Sequence, residues 1–374
     1  MKSLKPDILG ETARRIDLKP YPGVRQFVVQ HLYPDTLRLL LLLHRYVPID
    51  CVIGIGYSGQ PEVVRALADA KIRVITPDYD SLEQTVATEL RETLVRCRQR
   101  GDELVLHEVG GYSIKVLHEQ LADQIDLVAG AIEVTKQGVW VAESLSELKI
   151  PQVNCAQTRL KQVEGKMVGE AVVAAFDTIA RELGIALTGR RGFLLGYGWV
   201  GAGGADALRR RGVQVSVFDT DAVKRVQAAV DGFQVAHTGV DHAEPDFALG
   251  MSGVRSIDRS LLAALPDQCF LISGASKNHE IDLAALNELT RATEPVHTHV
   301  VAHRLNDGRT LYLVNQGYPV NFTGSSVPDE IVEFLFAELI MLVPQLLDRR
   351  PPPGIYPLDH DMESVAAEIW LALR

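Results

Sequence analysis

The chain is poor in cysteine. Its four cysteines, Cys51, Cys97, Cys155 and Cys269, are scattered through 374 residues and never form C-x-x-C. No zinc or other metal site and no disulfide frame is expected, which suits a reducing compartment. Long apolar runs are also lacking. The longest, Leu37 to Leu43, is broken by Arg38 and is far too short for a bilayer. The opening Met1-Lys2-Ser3-Leu4-Lys5-Pro6 has no signal-peptide core. Positive charge is in deficit, with a net charge of −10, which argues against nucleic acid and anionic membrane as partners. Arg209-Arg210-Arg211 is the basic exception. It stands beside Gly212 at a predicted helix end, where cations face the dipole favourably. The expectation is a soluble, cytoplasmic protein that handles a small molecule.

What is present is apolar material for full cores, 47% of residues, over a length that suggests two domains. Gly192 to Leu195 reads as a strand and runs into Gly196-Tyr197-Gly198-Trp199-Val200-Gly201. A helix-compatible segment, 202–209, follows. A second strand, 213–218, then ends on Asp219. Strand, Gly-x-Gly-x-x-Gly, helix, strand and acid in this order is the dinucleotide fingerprint, with the acid about 20 residues on. Gly196 allows the tight turn, Gly198 lets backbone approach a pyrophosphate, and Gly201 lets the helix pack on the strand. Trp199 and Val200 open the helix whose free N–H groups face the phosphates. Asp219 accepts from ribose hydroxyls and repels a 2′-phosphate, so NAD is expected over NADP.

Elsewhere strands and helices alternate. Helices are predicted at 33–46, 62–70, 82–98, 165–183 and 328–347. Strands are predicted at 51–55, 73–76, 103–108, 125–131, 246–250, 269–274, 310–314 and 320–321. Residues 1–20 read as polar, with little periodicity. The alternation predicts an α/β protein with two doubly wound parallel sheets. The second is a Rossmann NAD-binding domain, 165–325, inserted into a substrate domain, 1–164 plus 326–374. A second three-glycine segment, Gly54-Ile55-Gly56-Tyr57-Ser58-Gly59, follows a strand but precedes Pro61. It is read as a ligand-lining turn, with Ser58 and Gln60 as substrate contacts.

Several segments together resemble the S-adenosylhomocysteine hydrolase family. G-Y-G-W-V-G-A-G-G-A-D-A-L-R-R-R-G-V-Q-V-S-V-F-D-T-D, from Gly196, is similar to its G-Y-G-D-V-G-K-G-x-A-x-A-L-R-G-x-G-A-x-V-x-x-x-E-x-D. Residues 226–235, 106–111, 132–139, 150–154, 280–282 and 313–321 match further motifs in order, looser than the first. The resemblance implies an NAD enzyme that oxidises a nucleoside 3′-hydroxyl, eliminates the 5′ substituent, adds water and reduces the ketone. It also implies two domains closing on the substrate. It puts His31 at the family's catalytic histidine and Asp35 at its adenine-reading carboxylate. Glu108 falls near an acidic substrate position, with a one-residue offset open. Thr135, Gln137 and Asn321 fall on NAD contacts, Asn321 on the nicotinamide amide.

The chain departs from the family at the catalytic centre. The family lysine falls on Arg159, a poor proton acceptor because it stays charged. The family aspartate falls on Val163, and a one-residue slip would bring Glu164 or Lys161 into its place. Arg159 and Glu164 therefore stand as candidates beside His31 and Glu108. Ser276-Lys277-Asn278 replaces the family's H-F-D, leaving Ser276 as a substrate candidate. The family's C-terminal Lys–Tyr tail has no match after Trp370. That implies exchangeable NAD and a homodimer built on helices 165–183 and 328–347. The expectation is a divergent NAD-dependent enzyme, lyase-like toward a nucleoside or similar polyol. A catalytically inactive NAD-binding regulator and a simple dehydrogenase remain alternatives.

Overall fold

Two separately packed units make up the chain, Met1–Lys161 with Asp329–Arg374, and Gln162–Pro328. The structure, a computed structural model, describes residues 7–239, 244–275, 278–324 and 326–373. The first unit opens with α1 (Ile8–Arg15), β1 (Val24–Leu32), α2 (Pro34–His44), β2 (Ile49–Gly59), α3 (Pro61–Asp69) and β3 (Arg73–Ile75). It continues with α4 (Leu82–Arg100), β4 (Glu103–Glu108), α5 (Tyr112–Gln120), β5 (Val128–Glu133), α6 (Lys136–Ser144) and β6 (Pro151–Asn154). The long α7 (Arg159–Glu182) leads onward. The second unit carries β7 (Arg191–Leu195), α8 (Trp199–Arg210), β8 (Gln214–Phe218), α9 (Ala222–Val230), β9 (Gln234–Val235) and β10 (Phe247–Gly250). After these come α10 (Arg259–Ala264), β11 (Cys269–Ser273), α11 (Leu283–Leu289), β12 (Thr290–His297), β13 (Val300–Leu305) and β14 (Thr310–Val314). The chain returns to the first unit as α12 (Asp329–Leu347), β15 (Gly354–Pro357) and α13 (His360–Leu373).

The first sheet has the order β15-β6-β5-β4-β1-β2-β3 with every neighbouring pair parallel. The second runs β12-β13-β14-β11-β10-β7-β8-β9. Both contain the 3-2-1-4-5-6 order of a doubly wound sheet, whose ligands bind beyond the strands' carboxyl ends where the order reverses. That switch lies at β1/β4 in the first unit and β7/β10 in the second. The second sheet is mixed rather than purely parallel, because β13 runs antiparallel to both β12 and β14.

α12 forms the core of the first unit. Leu339, Ile340, Met341 and Leu342 are fully buried, and Phe336, Val343, Leu346 and Leu347 join the same cluster. A helix apolar on all sides belongs inside. Its buried Glu333 is answered by Arg38 at 2.5 Å, and its Glu338 accepts from the Thr158 hydroxyl at 3.1 Å.

Local differences from the sequence reading have identifiable causes. β1 was not anticipated, because Arg25, Gln26, Gln30 and His31 interrupt its apolar pattern. Buried Gln26 is satisfied by the Val47 carbonyl at 2.8 Å and by His107 at 3.3 Å. α1 lies within the stretch read as polar. Asp7 caps it through Gly10 N–H, and Ile8, Leu9 and Ala13 are buried. Ala122–Leu127 is a 3-10 turn, so the strand read at 125–131 begins at Val128. Val320–Thr323 is a 3-10 turn as well. The Gly54–Gly59 segment is the end of β2 rather than a turn, with Gly54 and Gly59 paired to Gln30 and Leu32 of β1. α7 begins at Arg159, six residues before Gly165.

Candidate cofactor and active site

In the second unit the glycine turn follows β7. Gly196 has φ +101°, and a Cβ there would lie 2.7 Å from the backbone of Met251 and Ser252 after β10. Only glycine fits. A Cβ on Gly201 would overlap the Gly196 carbonyl oxygen. Gly198 differs: a Cβ there would find nothing nearer than Lys224 Nζ, at 4.0 Å. Its glycine is thus not demanded by neighbouring atoms of the fold. It is the N-cap of α8, and no side chain caps the helix. Trp199 and Val200 begin that helix, so its uncapped N-terminus suits an anion.

Asp219, buried at the end of β8, accepts from Tyr197 N–H at 2.6 Å and from Asp221 N–H at 2.8 Å. The acid and the glycine turn are therefore joined directly. Asn321 is buried and donates to the Ser326 hydroxyl at 2.9 Å. Its Oδ1 has no hydrogen-bond partner among the described residues, which suits an incoming amide N–H. Glu280 accepts from Gly253 N–H at 2.6 Å and from the Ser252 and Ser256 hydroxyls. It pins the 251–256 loop that backs Gly196, and burial pushes its carboxyl up to about 7. These groups fit a dinucleotide: a cradle open at Gly198, a free helix N-terminus, a strand-end acid and an orphaned buried amide oxygen.

In the first unit His31 is the last residue but one of β1 and Ser58 the last but one of β2. The Ser58 hydroxyl donates to the Ile55 carbonyl at 2.9 Å, so at 2.7 Å it accepts from His31 Nδ1. That fixes the proton on Nδ1 and the lone pair on Nε2. Burial, then the nearby Lys161 ammonium, lowers the His31 pKa to about 4, and the ring is neutral at pH 7. Tyr57, Tyr79 and Tyr112 extend from it as a row. Ring centres lie 5.8 Å apart for His31–Tyr57 and 5.5 Å for Tyr57–Tyr79, and the Tyr79 and Tyr112 hydroxyls are 3.4 Å apart. The sequence reading missed the three tyrosines, because they come from separate elements: the end of β2, the 3-10 turn Tyr79–Ser81 and the start of α5.

Asp35 lies half-buried in the first turn of α2 and accepts from Thr36 N–H at 2.7 Å. Its pKa is raised, chiefly by burial. Gln60, half-buried, is the residue before α3. Glu108 is fully buried and turned inward, accepting from Ser113 and Ile114 N–H at the start of α5, at 2.6 and 3.1 Å. On the paired strand Glu133, which the sequence reading did not single out, accepts from Gly110, Gly111 and Thr135 N–H. Burial raises both acids, and their mutual repulsion adds to the rise at Glu108. Thr135 caps α6 and gives its hydroxyl hydrogen to Glu133 at 2.7 Å; Gln137 lies in the helix's first turn. Arg159 begins α7 with its side chain 64% exposed, and Nε meets buried Glu363 at 3.2 Å. Glu363 also accepts from Leu160 N–H at 2.9 Å. Glu164 lies buried on α7 beyond the unit boundary. Ser276 lies outside the described residues.

The family profile described as S-adenosyl-L-homocysteine hydrolase, NAD binding domain, matches residues 171–327. Curated relatives match over most of the chain. The S-inosyl-L-homocysteine hydrolase of Methanothermobacter thermautotrophicus is 26% identical, over 94% of this chain and 85% of its own length. The adenosylhomocysteinase of Aeropyrum pernix is 28% identical, over 89% and 80%. Residues 171–327 are thus an NAD-binding domain of the S-adenosylhomocysteine hydrolase family, and the chain as a whole is similar to that family's members. Its cofactor, as for that domain of the family, is NAD. Among solved structures, phosphoglycerate oxidoreductase from Vibrio cholerae O395 matches at TM-score 0.49 and 14% identity, over 80% of this chain and 99% of that one. Among the described residues no helix is long and apolar enough to cross a membrane, and no cluster of metal-ligating side chains occurs.

Proposed function

We propose that this chain is an NAD-dependent enzyme acting on a nucleoside or similar polyol. It oxidises the sugar transiently and eliminates a substituent, and it is not an efficient S-adenosylhomocysteine hydrolase. The observation that carries the reading is the His31–Ser58–Ile55 relay, a neutral imidazole of fixed tautomer at the first sheet's carboxyl edge. NAD, when bound, supplies a reversible hydride acceptor. The Gly196–Gly201 turn and the start of α8 hold its pyrophosphate. Asp219 takes the ribose hydroxyls, and Asn321 Oδ1 takes the carboxamide N–H. His31 Nε2 exchanges a proton with the group leaving the 5′ side. Asp35 reads the base or its equivalent.

Arg159 supports the negative half of the reading. It stays charged, and its Glu363 partner ties it to the start of α7. With Arg159 and Val163 at the two positions where the family places its lysine and aspartate, that pair is missing there, and the segment's own Lys161 and Glu164 stand off those positions. Denaturing the purified protein and assaying released NAD, NADH and nucleoside tests the proposal. Adding a nucleoside and polyol panel to the loaded protein completes the test. Reduction of the bound nicotinamide by one such compound supports the reading, and silence with every compound favours the regulator.

A further inference from the structure

We propose that Lys224 neutralises the adenosine corner of the cofactor site, so that the chain takes NADP, with its 2′-phosphate, alongside NAD. The inference rests on the NAD reading of this unit. Asp219 alone would repel such a phosphate. The structure, however, sets Lys224 Nζ 3.9 Å from Asp219 Oδ2. The same ammonium is the nearest atom to the space a Cβ on Gly198 would fill. It therefore faces both the acid that reads the ribose and the turn that faces the pyrophosphate.

Two further charged side chains of the corner are turned elsewhere. Asp221 is turned to its own helix, capping α9 through Val223 N–H at 2.8 Å. Arg225 donates to the Asp219 and Thr220 carbonyls at 2.6 and 3.3 Å, with its guanidinium 5.9 Å from the Phe218 ring centre. Asp219 thus meets the Lys224 ammonium, and that cation, 43% exposed, can be reached by a bound phosphate. A flexible ammonium can turn from the carboxylate to an incoming phosphate. The charge-assisted bond it forms there offsets the repulsion that Asp219 would exert.

The test is the dissociation constant of NAD and of NADP for the full chain, read by tryptophan fluorescence, with Trp199 at the start of α8 as the reporter. Thermal melts establish that each variant is folded. The wild type is expected to bind NADP within about tenfold of NAD. Lys224→Ala should weaken NADP about tenfold or more beyond any weakening of NAD, since the charge-assisted bond to the 2′-phosphate is lost only with NADP. Lys224→Arg should keep both. Wild-type NADP binding about a hundredfold weaker than NAD overturns the proposal, as does equal weakening of both cofactors in Lys224→Ala. If NAD binds and NADP does not, only this proposal falls. If the folded wild type binds neither, the NAD reading falls with it.

Discussion

Gly198→Val separates the cofactor from the fold more cleanly than any other single change at the glycine turn. Gly198 has φ −76° and ψ −164°, extended backbone open to any residue. The space beside it is empty to 4.0 Å, so the cofactor-free variant should lose no more than about 0.5 kcal/mol of stability. The branched side chain then fills the approach to the α8 N-terminus. Displacing a pyrophosphate from two backbone N–H groups removes two charge-assisted hydrogen bonds, each about 1.5–3 kcal/mol. The total of about 3–6 kcal/mol corresponds to a loss of NAD affinity of about 100-fold to 20,000-fold. Gly201→Ala is the mirror experiment. Its methyl overlaps the Gly196 carbonyl, so the cost of about 1–3 kcal/mol falls on the fold itself. Calorimetric NAD titration and cofactor-free melting of both variants provide the assay. If Gly198→Val binds NAD within about threefold of wild type, or melts like Gly201→Ala, the assignment of the turn is refuted.

His31→Ala should bind NAD normally yet stall after oxidation, leaving a persistent reduced-nicotinamide absorbance when substrate is added; normal turnover would demote His31 to a structural group. His31 and His107 both have folded pKa values of about 4, below their ordinary 6.5, so the unfolded chain binds the extra protons. The histidines' contribution should be full above pH 6.5 and lost toward pH 4, while Glu280, held at about 7, contributes in the opposite sense. The stability difference between wild type and His31→Gln therefore isolates His31, and a difference flat across that window in denaturant titrations would contradict the shift there. S-adenosylhomocysteine should release homocysteine far more slowly than an ordinary enzyme rate of about 10 per second, and turnover on that scale would overturn the reading of Arg159 and Val163. Glu363→Ala should cost about 1–2 kcal/mol, because a buried helix cap is lost. Arg159→Ala, at an exposed ion pair, should cost less than about 1 kcal/mol, and equal melting shifts for the two variants would be evidence against the cap.

The glycine turn was legible in the sequence because its constraints are local. A positive φ at Gly196, an overlap at Gly201 and an acid at the next strand's end all lie within one strand–helix–strand unit. The same three-glycine spacing at Gly54–Gly59 misled, because here the glycines continue a strand paired to β1. β1 itself was hidden. Gln26 looks like a surface residue until Val47 and His107, distant in sequence, supply its partners. The inward turn of Glu108 was equally invisible, since it depends on α5 presenting two N–H groups to the strand end. The tyrosine row is a tertiary feature with no periodic signature. His31 was legible only through its motif, and its tautomer required Ser58 and the Ile55 carbonyl.

The helix at the centre of the first unit, α12, is made last but one among the helices, after the whole of the second unit has been synthesised. Residues 8–161 must therefore wait on the ribosome without the Phe336–Leu347 segment that fills their core, and without the edge strand β15 that covers β6. The second unit, contiguous from 162 to 328, suffers no such delay. Domains fold as units as they emerge, so the order of assembly should invert the order of translation. The later-made unit should be native first, and the earlier one should complete only when its final 46 residues, 329–374, arrive. The interval leaves apolar surfaces on β1, β4 and β5 waiting for a partner, which makes this half of the molecule the one that most needs protection during synthesis.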